Sequence, residues 1–189
     1  MQYDCIIPWS GGVESTALVW WALENEYVPL CYHVNTGWDK WSQTNEHRSV
    51  QAMAKILNIE CITVGNNIEG VPWRDGSYPE DANRMNFSFW MWWAMIFATY
   101  NPSIKEIWYG NNYGMYEVGD GLGDVSSMEF VETVKGCRAI ARGLYIDFDI
   151  YCPFKASKVE QWNWLPENIQ SLVASTDQKP EWLKWQANQ

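Results

Sequence analysis

Residues 5–21 read CIIPWSGGVESTALVWW, and this stretch decides the fold that we expect for the chain. An apolar run ends at the turn Ser10-Gly11-Gly12, and a polar Glu-Ser-Thr segment then opens a second apolar run. A short apolar run bounded by turn residues is typical of a buried strand, and polar residues ahead of a longer apolar run mark the start of a helix. The stretch therefore predicts a strand, a tight turn and a helix in direct succession.

The rest of the chain repeats this alternation. The 189 residues, 47% of them hydrophobic, suit a single domain with a substantial core. Strands separated by helices predict an α/β fold, with a mostly parallel sheet and helices on both faces. We predict strands at 3–8, 28–35, 60–64, 106–109 and 145–150, and helices at 15–26, 44–57, 87–100 and 127–141. The glycine-rich segment 109–124 is predicted to be an irregular loop.

Composition and charge argue against several classes of protein. The formal net charge of −10 argues against a protein that binds nucleic acid mainly through the phosphates. The N-terminus MQYDCIIPW does not read as a signal peptide, so we expect a cytoplasmic protein. The uncharged segment 87–100 is shorter than the roughly 20 apolar residues of a membrane span, so we expect no membrane association. The five cysteines are dispersed without a C-x-x-C pair, which signals neither a zinc site nor a disulfide framework.

The turn Ser10-Gly11-Gly12 lies where parallel α/β sheets bind their ligands, directly after a strand. Two glycines allow a ligand to approach the backbone, and the helix that follows adds free N–H groups and the positive end of its dipole. A phosphate or pyrophosphate group fits this turn, with hydroxyl donors on Ser10, Ser15 and Thr16. The same residues would also suit a tight connection without a ligand. The pattern is neither the common P-loop nor the dinucleotide fingerprint.

The segment SGGVEST at 10–16 resembles the S-G-G-x-D-S-T signature of the PP-loop ATP pyrophosphatases, which adenylate a substrate and release pyrophosphate. From residue 3 to about residue 164, the chain is most similar to the 7-cyano-7-deazaguanine synthases. These enzymes convert a carboxylated deazaguanine to a nitrile with ATP and ammonia. The resemblance implies a Rossmann-like adenine nucleotide alpha hydrolase fold in one domain, 1–189, with a nucleotide-binding core at 1–160 and a Trp-rich tail at 161–189.

Further segments resemble this family in the same order along the chain. HVNTG at 33–37 is similar to a turn near the adenine, and NRMNFSFWMWWAMIFA at 83–98 to an arginine segment and the helix after it. IWYGNN at 107–112 is similar to a strand and glycine near the nucleotide. GDVSSMEFVETV at 123–134 resembles the stretch that meets the deazaguanine, and CPFKASKVEQW at 152–162 a segment whose lysine approaches phosphate. The matched residues are Asn35, Arg84, Gly110, Asp124, Glu129, Phe130 and Lys158.

The resemblance implies a role for each of these residues. The residues implied to bind ATP are Ser10, Gly11, Gly12, Glu14, Ser15, Thr16, Asn35 and Gly110. Glu14 is also the implied Mg²⁺ ligand, Lys158 and Arg84 are the implied catalytic cations, and Asp124, Glu129 and Phe130 are implied to contact the deazapurine substrate.

Several of these side chains have a plainer interpretation. Lys158 would suit a solvated helix position, and Arg84 would suit a surface ion pair with Glu80 or Asp81. Asp120 and Asp124 would suit ordinary turns or a second metal site. The turn is the prediction for Asp120, whereas a turn and contact with substrate both stay open for Asp124. The two histidines, His33 and His47, have no partner at metal or catalytic spacing and are predicted to be structural or surface residues.

The chain departs from the family in two places. Glu14 stands where the signature has aspartate, which keeps the carboxylate but lengthens the side chain by one methylene and alters magnesium geometry. After Cys152 there is no cysteine, so the family's C-terminal zinc cluster is absent and zinc is not expected there. Trp162, Trp164, Trp182 and Trp185 occupy the region instead, and core or subunit contacts are their first interpretation.

Three functions follow from these observations. The first is ATP-dependent amination of 7-carboxy-7-deazaguanine to the nitrile or amide, with ATP, Mg²⁺ and ammonia as cofactors and reactants. The second is another PP-loop reaction, such as thiolation or amide ligation. The third is a non-catalytic nucleotide-binding protein. A homodimer is implied by the family, and no direct nucleic-acid partner is expected.

Overall fold

The structure is a computed structural model that describes residues 2–35, 42–65, 82–110, 127–154 and 156–173. Strands and helices alternate along these residues. In chain order they are β1 (Cys5–Pro8), α1 (Val13–Glu24), β2 (Pro29–Asn35), α2 (Ser42–Leu57), β3 (Cys61–Gly65), α3 (Ala82–Tyr100), β4 (Glu106–Trp108), α4 (Ser127–Gly143), β5 (Asp149–Tyr151), α5 (Lys158–Trp164) and α6 (Glu167–Gln170).

The five strands form one parallel sheet in the order β3-β2-β1-β4-β5. Strand β1 lies at the centre, where Ile6 is in register with Leu30 of β2 on one side and Ile107 of β4 on the other. All four residues of β1 are buried, as expected for a central strand covered on both faces. The predicted α/β fold with a parallel sheet is confirmed.

Helices cover both faces of the sheet and divide the core into two clusters. On one face, α1, α2, α5 and α6 pack against alternate residues of β1, including Cys5, Ile7 and the adjoining Trp9. On the other face, α3 and α4 pack against Ile6 and Ile107. The alternation follows from the two-residue period of a strand, which sends successive side chains to opposite faces.

The predicted strand at 145–150 is wrong at its start, because β5 begins only at Asp149. The chain first has to close the end of α4. Tyr145 adopts a positive φ of 57° with its side chain 98% exposed, and the N–H of Ile146 bonds back to the carbonyl of Ala141. This left-handed residue terminates the helix and delays the strand. The other predicted elements agree with the structure to within a few residues, apart from an earlier start of α3.

The first part of the Trp-rich tail belongs to the core. Trp162 of α5 is buried, and it joins the cluster around α1 together with Leu165, Ile169 and Val173. Helix α5 begins with a capping box, in which the Ser157 hydroxyl accepts from the Glu160 N–H and the Glu160 carboxylate accepts from the Ser157 N–H. The core interpretation of Trp162 is therefore confirmed, whereas Trp182 and Trp185 lie outside the described residues.

Within the described part of the chain, no helix has the length and apolar character needed to cross a membrane.

Trp162→Ala should test whether the tail stabilises the domain. Loss of this buried side chain should lower the free energy of unfolding by about 3–5 kcal/mol, because it removes apolar burial and leaves a cavity beside α1. Trp164→Ala is the matched control, since Trp164 is 37% exposed on the same helix and should cost clearly less. Urea unfolding of both variants measures the difference, and equal losses would contradict this packing.

Candidate nucleotide-binding site

The candidate site lies at the carboxyl ends of β1 and β4. From β1 the chain proceeds outward through β2 to β3, and it then returns to the other side of β1 to form β4 and β5. The strand order therefore reverses between β1 and β4. In a parallel α/β sheet this reversal opens a crevice beyond the strand ends, where ligands bind. The loop Ser10-Gly11-Gly12 follows β1 directly into this region.

A closed set of hydrogen bonds shapes the loop. The Gly12 N–H donates to Ser10 Oγ at 3.3 Å, Ser10 Oγ lies 2.9 Å from Ser15 Oγ, and the Ser15 hydroxyl donates to the Gly12 carbonyl at 3.3 Å. Gly11 has φ of 89°, a left-handed backbone conformation that glycine adopts without strain. The two serine hydroxyls are thereby held together at the start of α1.

The start of α1 presents backbone donors. The Thr16 N–H bonds to the Gly12 carbonyl at 3.0 Å as a turn of the new helix closes. The N–H groups of Val13, Glu14 and Ser15 precede this bond and have no acceptor within the helix. Together with the helix dipole, such donors favour an anion.

Gly110 lies two residues beyond β4 and is in close contact with the backbone at the start of α1. A Cβ atom at Gly110 would lie 2.5 Å from the carbonyl carbon of Glu14 and 2.6 Å from the nitrogen of Ser15. No side chain fits at such distances. Gly110 thus allows the β4 end of the chain to contact the start of α1.

An ion pair lies beside the loop. Lys158 Nζ is 2.9 Å from Glu14 Oε1, and the two side chains are only 26% and 25% exposed. Lys158 is the first residue of α5, which packs on α1 through Trp162. The fold therefore brings together the two charged residues that the resemblance assigns to magnesium and phosphate, and Lys158 is not a solvated surface lysine.

Thr16 supports the loop from the core side. Its side chain is fully buried, and its hydroxyl accepts a hydrogen bond from Trp9 Nε1 at 3.0 Å and lies 3.9 Å from Met53 Sδ. These contacts occupy the hydroxyl that the sequence offered as a phosphate donor. In this conformation Thr16 acts as a positioning residue for the turn.

The two histidines come together, although the sequence shows no partner for either one. The ring centroids of His33 on β2 and His47 on α2 are 5.6 Å apart. His33 is fully buried, and its Nδ1 lies 3.0 Å from the carbonyl oxygen of Trp9. Burial lowers the pKa of His33 to about 4, opposed by the Trp9 hydrogen bond and reinforced by His47. The burial of His33 agrees with the predicted structural role, although the sequence spacing gave no sign of its contact with His47.

The remaining predicted site residues are only partly described. Asn35 ends β2 at the carboxyl edge of the sheet, and Arg84 lies in the first turn of α3. Glu129 and Phe130 lie in the first turn of α4. The described part of the structure does not include the side chains of these four residues. Asp120 and Asp124 lie outside the described residues altogether.

No model of a known protein family and no curated protein matches the chain. Among solved structures, the chain is similar to the NMN synthetase from Francisella tularensis, with a TM-score of 0.47 and 16% identity over 72% of this chain. The chain spans 62% of the length of that protein. It is also similar to the U34-tRNA thiolase NcsA from Methanococcus maripaludis, with a TM-score of 0.40 and 16% identity over 94% of this chain and 72% of that one. At TM-scores below 0.5, we draw nothing about function from either likeness.

Gly110→Ala should damage the site. The added methyl group would collide with the backbone of Glu14 and Ser15, so we expect a loss of about 2 kcal/mol or more in the free energy of unfolding. Gly136→Ala is the control, because a Cβ at Gly136 in α4 would meet nothing within 4 Å. It should stabilise by about 0.5–1 kcal/mol through the higher helix propensity of alanine. Thermal unfolding of both variants checks these signs, and a neutral Gly110→Ala would contradict the close contact.

Thr16→Val should destabilise the protein by about 1–3 kcal/mol, because it leaves the buried Trp9 Nε1–H without its acceptor. Thr99→Val provides the comparison. The Thr99 hydroxyl donates to the Met95 carbonyl, and Thr99 is itself exposed near the end of α3, so its loss should change stability by less than about 0.5 kcal/mol. Denaturant titration with tryptophan fluorescence measures both, and a Thr16→Val variant as stable as the parent would refute the supporting role.

Proposed function

We propose that this chain is a PP-loop ATP pyrophosphatase that activates a carboxylate by adenylation. One observation carries the proposal: the Glu14–Lys158 ion pair lies beside the glycine turn and the open start of α1, at the reversal point of the sheet. This arrangement combines a carboxylate for a metal, a cation for phosphate and several backbone donors. It occupies the position where the signature SGGVEST resembles that family.

In this proposal the turn binds the phosphates of ATP. Ser10 and Ser15 contribute hydroxyl groups, and the first N–H groups of α1 face the same charge. Lys158 exchanges its contact with Glu14 for a phosphate oxygen when ATP binds. Thr16 holds the turn in place through Trp9 and does not touch the ligand. Arg84 remains a proposed second cation.

The residues of the turn suit Mg²⁺. This ion prefers oxygen ligands and commonly takes one or two carboxylates together with substrate phosphates and water. Glu14 supplies a carboxylate beside the hydroxyls of Ser10 and Ser15, so the donor set fits. When bound, the ion would neutralise phosphate charge and orient the departing pyrophosphate.

The proposed chemistry has two steps. A substrate carboxylate oxygen attacks the α-phosphorus of ATP, the bond to the bridging oxygen breaks, and pyrophosphate leaves. Ammonia then attacks the acyl carbon of the adenylate, AMP leaves, and one proton is released to give an amide. Because little covalent work falls to the protein, catalysis depends on positioning and charge stabilisation by Lys158 and the backbone donors.

As the acceptor we propose 7-carboxy-7-deazaguanine, because the segments around Asp124, Glu129 and Phe130 resemble those of the deazaguanine synthases. A nitrile product requires removal of the second oxygen and hence a second activation by ATP. A cytoplasmic homodimer that acts on this small molecule without direct nucleic-acid contact completes the proposal.

A non-catalytic nucleotide-binding protein is the second candidate. The observation that favours it is the substitution of Glu14 for the signature aspartate, combined with the engagement of that carboxylate by Lys158. If the carboxylate stayed with Lys158 after ATP had bound, the metal would lack its ligand. This candidate predicts ATP binding without release of pyrophosphate.

The turnover assay separates these functions. Purified protein is incubated with ATP, Mg²⁺, ammonium and 7-carboxy-7-deazaguanine, and AMP, pyrophosphate and the mass of the purine are followed. Release of AMP and pyrophosphate with a nitrile or amide product is expected. ATP binding without turnover on this substrate would contradict the proposed acceptor, and failure to bind ATP at all would contradict the whole assignment.

Two sets of variants test the site itself. Lys158→Met and Glu14→Gln should each weaken ATP–Mg²⁺ binding by about tenfold or more, while their effect on stability stays under about 1 kcal/mol because the pair is partly exposed. The double variant Ser10→Ala/Gly11→Ala should abolish ATP binding. Lys135→Met is the matched control, since Lys135 forms an exposed pair with Glu132 at 2.7 Å, compared with 2.9 Å for Lys158 and Glu14. Calorimetric titration with ATP measures each affinity. Parent-like ATP affinity in Lys158→Met would show that Lys158 does not contribute to ATP binding.

A further inference from the structure

A buried imidazole nitrogen on β2 has no partner among the described residues. His33 is fully buried, yet its Nε2 makes no hydrogen bond. The other ring nitrogen, Nδ1, lies 3.0 Å from the carbonyl oxygen of Trp9. A carbonyl can only accept, so Nδ1 carries the proton and Nε2 of the neutral ring exposes a lone pair. An unsatisfied buried lone pair is costly and calls for an explanation.

A second such nitrogen lies nearby. Nδ1 of His47, on α2, is also buried without a hydrogen-bond partner among the described residues. The two imidazole centroids are 5.6 Å apart and the ring planes are inclined by 41°. The rings are therefore neighbours, but neither stacks on the other nor closes a direct hydrogen bond through these nitrogens.

This spacing matches that of two imidazoles that share one metal ion. With metal–nitrogen bonds of about 2.0–2.1 Å and a roughly tetrahedral angle between them, two ring centroids lie about 5–6 Å apart. The 5.6 Å between His33 and His47 falls within this span. The bond from His33 to a backbone carbonyl is also the usual support of a metal-ligating histidine, because it fixes the tautomer and the direction of the free nitrogen.

We propose that His33 Nε2 and His47 Nδ1 together bind one divalent transition-metal ion of the zinc class, with water in the remaining coordination positions. No cluster of three His, Cys, Asp or Glu residues suited to a metal occurs in the described ranges, which is why water completes the coordination. Neutral imidazole suits Zn²⁺ and Co²⁺, whereas Mg²⁺ prefers oxygen. The ion is therefore distinct from the magnesium assigned to Glu14.

Binding would join elements that otherwise only pack together. His33 belongs to β2 and His47 to α2, so a shared ion cross-links a strand to the helix that covers it. It would also stiffen the chain behind the glycine turn, because the Trp9 carbonyl bonded by His33 immediately precedes Ser10. Since the ion would bind the folded chain only, it should raise the melting temperature as its concentration increases.

A buried water molecule is the competing occupant. Water can bridge two unsatisfied nitrogens in a polar cavity, and it would satisfy His33 and His47 without any metal. The two occupants give opposite results in a titration, because only the metal site takes up an ion stoichiometrically.

The test uses the full chain after treatment with a chelator, without ATP, so that its result is independent of the proposed enzymatic function. Zn²⁺ and then Co²⁺ are titrated at constant pH by calorimetry and visible absorption. We expect one ion per chain, a rise in melting temperature, and a cobalt spectrum free of thiolate charge-transfer bands. Absence of binding at tens of micromolar metal would overturn the proposal. So would thiolate bands, because they would place the ion at cysteines such as Cys31 and Cys61, neighbours on β2 and β3.

His47→Gln is the deciding variant, because His47 is only partly buried and its replacement should leave the fold intact. It should weaken metal binding by tenfold or more and remove the metal-dependent rise in melting temperature. His33→Gln should do the same if it folds. Gln51→Ala, one turn further along α2, is the matched control, since Gln51 bonds to Thr63 and should leave metal binding unchanged. Parent-like metal affinity in His47→Gln would exclude the site.

Discussion

The contact of Gly110 with the backbone of Glu14 and Ser15 is the constraint on which the candidate site depends. At 2.5–2.6 Å from a would-be Cβ, this contact admits only glycine, and it brings the end of β4 against the first turn of α1. Strand β4 pairs with β1 on the side away from β2, so the contact lies at the reversal of strand order, beside the candidate crevice. Backbone of the chain after β4 therefore lies directly against the first turn of α1.

The candidate site is proposed to bind the phosphates of ATP, and in a protein of net charge −10 this requires a local cation, which the chain supplies from its C-terminal part. Lys158 begins α5, whose capping box fixes the helix start and whose Trp162 is buried against the α1 cluster. Packing of an apolar side chain therefore determines where the ammonium group lies. The ion pair with Glu14 keeps that ammonium at the loop, and partial burial reduces the screening that would weaken a surface pair.

The strand and helix order could be predicted from the sequence because each element carries its own period and its own turn residues. The glycine turn and its position after β1 followed from the same signals. Contacts between distant elements could not be predicted. His33 and His47 become neighbours only because α2 packs on the face of the sheet that His33 points to, and Lys158 meets Glu14 only through the packing of α5. The predicted start of β5 was wrong because Tyr145 terminates α4 in a left-handed conformation that β propensity does not reveal.

Trp9 links the glycine turn to the histidine pair. Its indole N–H donates to Thr16 in α1, and its carbonyl accepts from His33 in β2, so one residue holds the turn at two points immediately before Ser10. Both bonds are buried, and the loss of either leaves a polar group without water to replace its partner. A change in the orientation of the His33 ring would therefore alter the position of the Trp9–Ser10 peptide, which begins the turn. An ion at the histidine pair would fix that ring, and it would act on the nucleotide site through the geometry of Trp9 rather than through charge.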